Sequence, residues 1–158
     1  MKIITGGQTG ADRAALDVAL DLGLRVGGWV PLGRLAEDGR IPDCYPHLVE
    51  TDGSDPAERT RLNVRDSDAT LIVSHGSLQG GSRLALEEAH RLGKAVLHLD
   101  VEQSGLVAAA ACLHEWLSIF RPNVLNVAGP RGSEDAEIYE AVSNLLYATL
   151  RSIRTCDR

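Results

Sequence analysis

Three times along this chain a strand-like apolar run ends in a glycine-bearing turn and passes straight into a helical pattern. Lys2–Thr5 leads through Gly6-Gly7-Gln8-Thr9-Gly10 into Ala11–Leu22. Ala69–Ser74 leads through His75-Gly76-Ser77-Leu78-Gln79-Gly80-Gly81 into Ser82–Leu92, and Asn123–Ala128 leads through Gly129-Pro130-Arg131-Gly132-Ser133 into Glu134–Ile153. Strand-like runs at Arg25–Trp29 and Ala95–Leu99, and helical ones at Leu106–Phe120 and around Pro56–Arg65, complete the alternation. Leu71-Ile72-Val73 and Val96-Leu97-His98-Leu99 are continuous apolar runs, as strands covered on both faces require. Alternating strands and helices predict a parallel sheet. The expected architecture is a three-layer, Rossmann-like α/β domain. It has a mainly parallel five-stranded sheet, helices on both faces, and room for added edge strands.

At 158 residues the chain is expected to form a single domain, spanning 1–158, with a core large enough to need neither disulfide nor metal. The net charge of −6 argues against a broad nucleic-acid or membrane-surface footprint, because both demand clustered Lys and Arg. Aromatic residues make up only 4%, too few for a base-stacking platform. Cys44, Cys112 and Cys156 show neither CxxC nor Cys/His ligand spacing. No metal site and a reducing cytoplasm are therefore expected, and no signal-peptide core or membrane-length apolar run is seen.

Glycine turns at the carboxyl ends of parallel strands suit an anion, since uncovered backbone N–H groups then face a helix N-terminus. Gly6, Gly7 and Gly10 allow close approach, Gln8 and Thr9 add hydrogen bonds, and Asp12 sits in the first helical turn. The same residues also make a tight turn with Thr9 as N-cap, and both readings can hold together. His75, Gly76, Gly80, Gly81 and Ser82 form the second turn. If the first and third strands are neighbours, the two loops share one crevice. Arg83 and Glu87 read equally as a solvated i,i+4 pair, and His75 as a polar loop residue. Arg131 could neutralise an anion held by the other loops, although as a turn leading into the last helix it needs no ligand.

The stretch Pro31–Asp55 is too long for an ordinary connection and reads as a lid. There Trp29 would cover a planar group and Arg34 would supply polar contacts. Asp66-Ser67-Asp68 offers two carboxylates but is also a common turn before a strand, and His98 reads as a core histidine. Ala108 to Leu117 is an apolar helix, most simply core, with a homo-oligomer contact as the other reading.

Together these residues closely resemble the putative molybdenum carrier family, also called molybdenum cofactor carrier-like proteins, of the Rossmann-like SLOG superfamily. The matching stretches are Gly6–Asp17, Gly28-Trp29-Val30-Pro31, Gly33–Glu37, Asn63-Val64, Asp66-Ser67-Asp68, Ser74-His75-Gly76, Gly80-Gly81-Ser82 and Leu125–Arg131. Leu32 departs, standing where similar sequences tend to carry lysine. The superfamily also contains phosphoribohydrolases with a PGGxGTxxE signature, of which this chain offers only Gly80-Gly81-Ser82 with Glu87.

The resemblance implies a non-enzymatic carrier of the molybdenum cofactor (molybdopterin) or a related anionic ligand. The alternatives are a nucleotide sensor and an enzyme hydrolysing the N-glycosidic bond of a nucleoside monophosphate, with Glu87 or Asp66 as acid/base. No catalytic residue is assigned.

Overall fold

A computed structural model describes the backbone of residues 1–156 and the side chains of residues 1–151. In chain order its elements are β1 (Lys2–Ile4), α1 (Ala11–Asp21), β2 (Arg25–Val30), β3 (Leu35–Ala36), β4 (Gly39–Arg40) and β5 (Leu48–Glu50). They continue with α2 (Pro56–Asp66), β6 (Ala69–Ser74), α3 (Gly80–Arg91), β7 (Ala95–Asp100), α4 (Val101–Ser104), α5 (Leu106–Phe120), β8 (Val124–Ala128) and α6 (Ile138–Cys156). Six strands form one parallel sheet in the order β5-β2-β1-β8-β6-β7, while β3 and β4 pair antiparallel as a separate ribbon.

The apolar run of β6 shows why this sheet has two covered faces. All six of its residues are buried, and the side chains alternate between two cores because strand periodicity is two. Leu71 and Val73 join the larger cluster with α1, α5 and α6, which includes Leu16, Leu113 and Leu146. Ile72 points the other way, against Val64 of α2 and Ala85 and Ala89 of α3. Helix, sheet and helix thus make the three expected layers.

The structure refines two expectations. The sheet has six strands rather than five, because Leu48–Glu50 adds an edge strand parallel to β2 with Trp29 opposite Val49. Three residues inside a Pro/Gly-rich segment are too few to show a strand period. The first and third predicted strands, β1 and β6, are not neighbours: β8 lies between them, paired with both. The third glycine turn therefore stands between the other two.

Within α5, Ala109, Leu113 and Leu117 are buried, as the core reading requires, whereas Val107 and Ile119 are exposed. His98 sits half-buried in β7, its Nε2 2.8 Å from Ser74 Oγ. Cys44 and Cys112 are both exposed, and Cys156 lies outside the residues whose side chains are described. Among the described residues no helix is long and apolar enough to cross a membrane.

Candidate functional site

Because β1, β8 and β6 are adjacent, the turns at their carboxyl ends stand side by side over one cleft, the place where open parallel sheets hold ligands. Gly6 and Gln8 line it from the first turn, Gly81 and Ser82 from the second, Gly129 and Arg131 from the third. The cleft is narrow, with a cavity volume of about 30 Å3 beneath an open mouth.

The first turn is largely satisfied from within. Gly7 N–H donates to Thr5 Oγ1 at 3.0 Å, Gln8 N–H to Asp12 Oδ2 at 3.2 Å, and Thr9 N–H to Gln8 Oε1 at 3.0 Å. The first amide of α1, Ala11 N–H, donates to Pro130 O at 3.2 Å. Gly10 makes that approach possible. Its φ is +77°, and a Cβ there would lie 2.5 Å from the Pro130 oxygen. Side chains of the turn itself, Thr5, Gln8 and Asp12, thus occupy the amides that an outside anion would otherwise use. Burial pushes the Asp12 carboxyl above its ordinary range, against the opposing pull of Arg59 and of the Gln8 and Gly6 amides.

Arg59, on α2, is the residue that sequence reasoning missed. Its Nη1 lies 3.3 Å from Asp12 Oδ2, its side chain is mostly buried, and its guanidinium fills the space a side chain on Gly6 would need. Its Nε is buried with no hydrogen-bond partner among the described residues, and it lines the cleft beside Asp12. Asn63 lies one helical turn further along α2, is buried, and brackets the end of β2 through Trp29 N–H and Trp29 O.

The second turn is open where the first is closed. Gln79 at the N-cap of α3 gives no side-chain hydrogen bond to the first turn. Ser82 is buried at the cleft wall, and beside Gly81 nothing stands where a side chain would be. Gly76 N–H donates to Asp100 Oδ1 at 2.9 Å, which together with other backbone donors holds the Asp100 carboxyl below its usual range. His75 Nδ1 is 2.6 Å from Asp135 Oδ2. These two residues line a second depression that shares Ser82 and Glu134 with the cleft.

The ribbon ties the first and third turns together. Glu37, between β3 and β4, accepts hydrogen bonds from Thr9 Oγ1, Ser133 Oγ and, at 3.0 Å, Ser133 N–H. Gly132 N–H donates to Thr9 Oγ1 at 3.0 Å, and Arg13 makes a paired contact with Asp38 at 3.0 and 3.1 Å.

Of the residues singled out in the sequence, Gly6, Gln8, Asp12, Gly81, Ser82 and Arg131 line the cleft and His75 lines the adjoining depression. Gly7, Thr9, Gly10 and Gly76 shape the turns through the bonds just given, and Gly80 opens α3. Trp29 and Arg34 are not among the cleft-lining residues. The Trp29 indole N–H donates to Asp66 Oδ2 at 2.7 Å, and the Arg34 guanidinium donates to the carbonyls of Ile41, Pro42 and Tyr45. Leu32 is about half exposed on the turn before the ribbon. Glu87 pairs with Arg83 at 2.9 Å on an exposed helix face, and Asp66 pairs with Arg65 at 2.7 Å. Neither carboxylate lines the cleft. Asp68 caps the start of β8 through the Asn123 and Val124 amides.

The family described as circularly permutated YpsA SLOG matches residues 3–150. A crystal structure at 1.45 Å of a protein from Syntrophus aciditrophicus SB, described as a putative molybdenum carrier protein, superposes with a TM-score of 0.92. It is 50% identical in sequence, over 94% of each chain. No curated protein matches this chain.

Proposed function

This chain belongs to the circularly permutated YpsA SLOG family, and from that premise we propose that it binds and carries a small anionic ligand. The ligand is a phosphate-bearing group, such as that of the molybdenum cofactor, or a related oxyanion. One observation carries the reading: three glycine-bearing turns converge on a cleft that Arg59 and Arg131 also line, each beside a carboxylate of the same wall, Asp12 at 3.3 Å and Glu134 at 3.5 Å. In a protein of net charge −6, that local concentration of donors at the carboxyl end of the sheet favours an anion.

The donor set fits this class of ligand. Arginine guanidinium groups, the Ser82 hydroxyl and the open turn at Gly80 and Gly81 offer N–H and O–H donors to oxygen atoms. Among the described residues no group of three His, Cys, Asp or Glu is arranged to hold a metal directly. A molybdenum-bearing cargo would therefore be held through its anionic oxygens. The relative described as a putative molybdenum carrier protein supports this choice of cargo. Glu87 and Asp66, the acid/base candidates of the enzymatic alternative, do not line the cleft, whereas Asp12 and Glu134 do.

The test is calorimetric titration and thermal unfolding against inorganic phosphate, molybdate, tungstate, AMP, GMP and isolated molybdenum cofactor. A ligand at 100 times its dissociation constant adds about 2.7 kcal/mol. Stabilisation by the cofactor or an oxyanion is the expected result. Release of free base from AMP or GMP would overturn the carrier reading in favour of the hydrolase, and inertness toward the whole panel would overturn the anion site.

A further inference from the structure

The cleft does not end at its anion-binding wall. Ser82 and Glu134 are shared with the second depression, whose remaining wall includes His75, Leu78, Pro130 and Asp135. A free oxyanion seated against Ser82 would leave that depression unused. Leu78 and Pro130 give it an apolar side, and His75 with Asp135 gives it a polar one.

The polar side is chemically defined. An ionised carboxylate only accepts hydrogen bonds, so the 2.6 Å contact with Asp135 Oδ2 requires the proton on His75 Nδ1. In the neutral ring Nε2 is then an acceptor without a hydrogen-bond partner among the described residues, and His75 borders both this depression and a further one lined by Glu137 and Glu140. Asp135 is itself fixed: its Oδ1 accepts from Glu137 N–H at 3.0 Å, at the approach to α6. Both side chains are more than two-thirds buried. The Asp135 contact therefore fixes the ring's orientation and places a proton on Nδ1.

We propose that the second depression is the subsite for the organic part of a phosphomonoester, and that His75 Nε2 accepts a hydrogen bond from a donor edge of that group. This rests on the anion-binding reading of the cleft and narrows it: the ligand is an organic phosphate rather than a bare oxyanion. Asp135 is the positioning residue. The organic group is one with N–H donors on a flat ring, packing against Leu78 and Pro130 while its phosphate lies against Ser82.

The experiment is calorimetric titration of the full chain with inorganic phosphate and with GMP. GMP is the probe because its ring N–H and exocyclic amino group form the amino-oxo pyrimidine edge that a pterin also presents. GMP is expected to bind at least about tenfold more tightly than phosphate, the scale of one well-formed hydrogen bond plus apolar contact. His75→Ala and His75→Gln should each remove that excess while phosphate affinity changes less than about twofold. Two variants are used, with circular dichroism, so that a folding failure in one does not decide the matter.

For Asp135→Asn, two-bond nitrogen–proton NMR of His75 should show loss of the single Nδ1–H tautomer along with the GMP excess. A merely structural Asp135 would leave the tautomer signature unchanged, which would overturn its positioning role. Phosphate binding with no GMP excess, or an excess that survives both His75 variants, would overturn the subsite and leave the anion cleft standing. Binding of neither probe would overturn this proposal, and the cleft itself would fall only with inertness toward molybdate, tungstate and the cofactor as well.

Discussion

The guanidinium of Arg59 occupies the volume in which a side chain on Gly6 would have to sit. From there it reaches Asp12, buried beneath the first turn. Gly6, Arg59 and Asp12 therefore form one unit, although they belong to three different elements of the chain.

That unit predicts a non-additive mutant pair. Arg59→Ala leaves a buried carboxylate without its cation and should cost about 3–5 kcal/mol. Gly6→Ala displaces the guanidinium, the movable end of a flexible side chain, and should cost about 1–2 kcal/mol in the wild-type background. In the Arg59→Ala background the same Gly6→Ala change should add little. Chemical denaturation of the four proteins measures the coupling, expected above about 1 kcal/mol. Additive effects would mean that Arg59 does not pack on Gly6.

Gly81→Asp separates binding from folding. Nothing lies within contact of a side chain at this position, so the unfolding free energy should stay within about 0.5 kcal/mol of wild type. A carboxylate at the cleft wall should nevertheless lower phosphate affinity by at least about tenfold through like-charge repulsion. Unchanged affinity in calorimetry would remove the second turn from the site.

Acid should loosen the ribbon. Burial would raise the Glu37 pKa, but hydrogen bonds from Ser133 and Thr9 and the charge of Arg131 outweigh it, and the net shift is downward from the usual 4.5. For a carboxyl depressed in the folded state, its stabilisation is present above the unfolded pKa and is lost as pH falls through the folded one. Hydrogen exchange at residues 35–40, corrected for the intrinsic rate that itself slows in acid, should therefore lose protection below pH 4.5 in the wild type. In Glu37→Gln it should already be fast at neutral pH, with a weaker pH dependence. Equal exchange rates in the two proteins at neutral pH would show that Glu37 does not hold the ribbon.

Trp29 gives a control outside the cleft. Its indole N–H is bound to Asp66, so Trp29→Phe should change ligand affinity by less than about twofold. It should at the same time lower stability by about 1 kcal/mol through loss of that hydrogen bond. A loss of affinity of about tenfold or more would show that the region before the ribbon closes over the ligand.

Much of this molecule was legible in its one-dimensional pattern. Continuous apolar runs such as Leu71-Ile72-Val73 announced strands buried on both faces, and the glycine turns announced where the chain leaves the sheet for a helix. Gln8, Gly81, Ser82 and Arg131 could be nominated from their places in such turns, although each turn also had a reading without a ligand, and all four line the cleft. Leu48–Glu50 could not be read, since three residues do not establish a period and their stability comes from pairing with β2. Arg59 escaped because an arginine within a helix of mixed charge looks solvated until its neighbours are known.

The sequence by itself determined the layers and the turns, because hydrophobic periodicity and glycine placement act over a few residues. Only the tertiary structure decided that β8 inserts between β1 and β6, which places Arg131 between the two outer turns. It alone also decided that Thr5, Gln8 and Asp12 side chains occupy the first turn's own amides, while the second turn stays open. The physical reason is that strand order and buried charge pairing depend on contacts between residues far apart in the chain. No local pattern encodes which of several compatible partners will be neighbours.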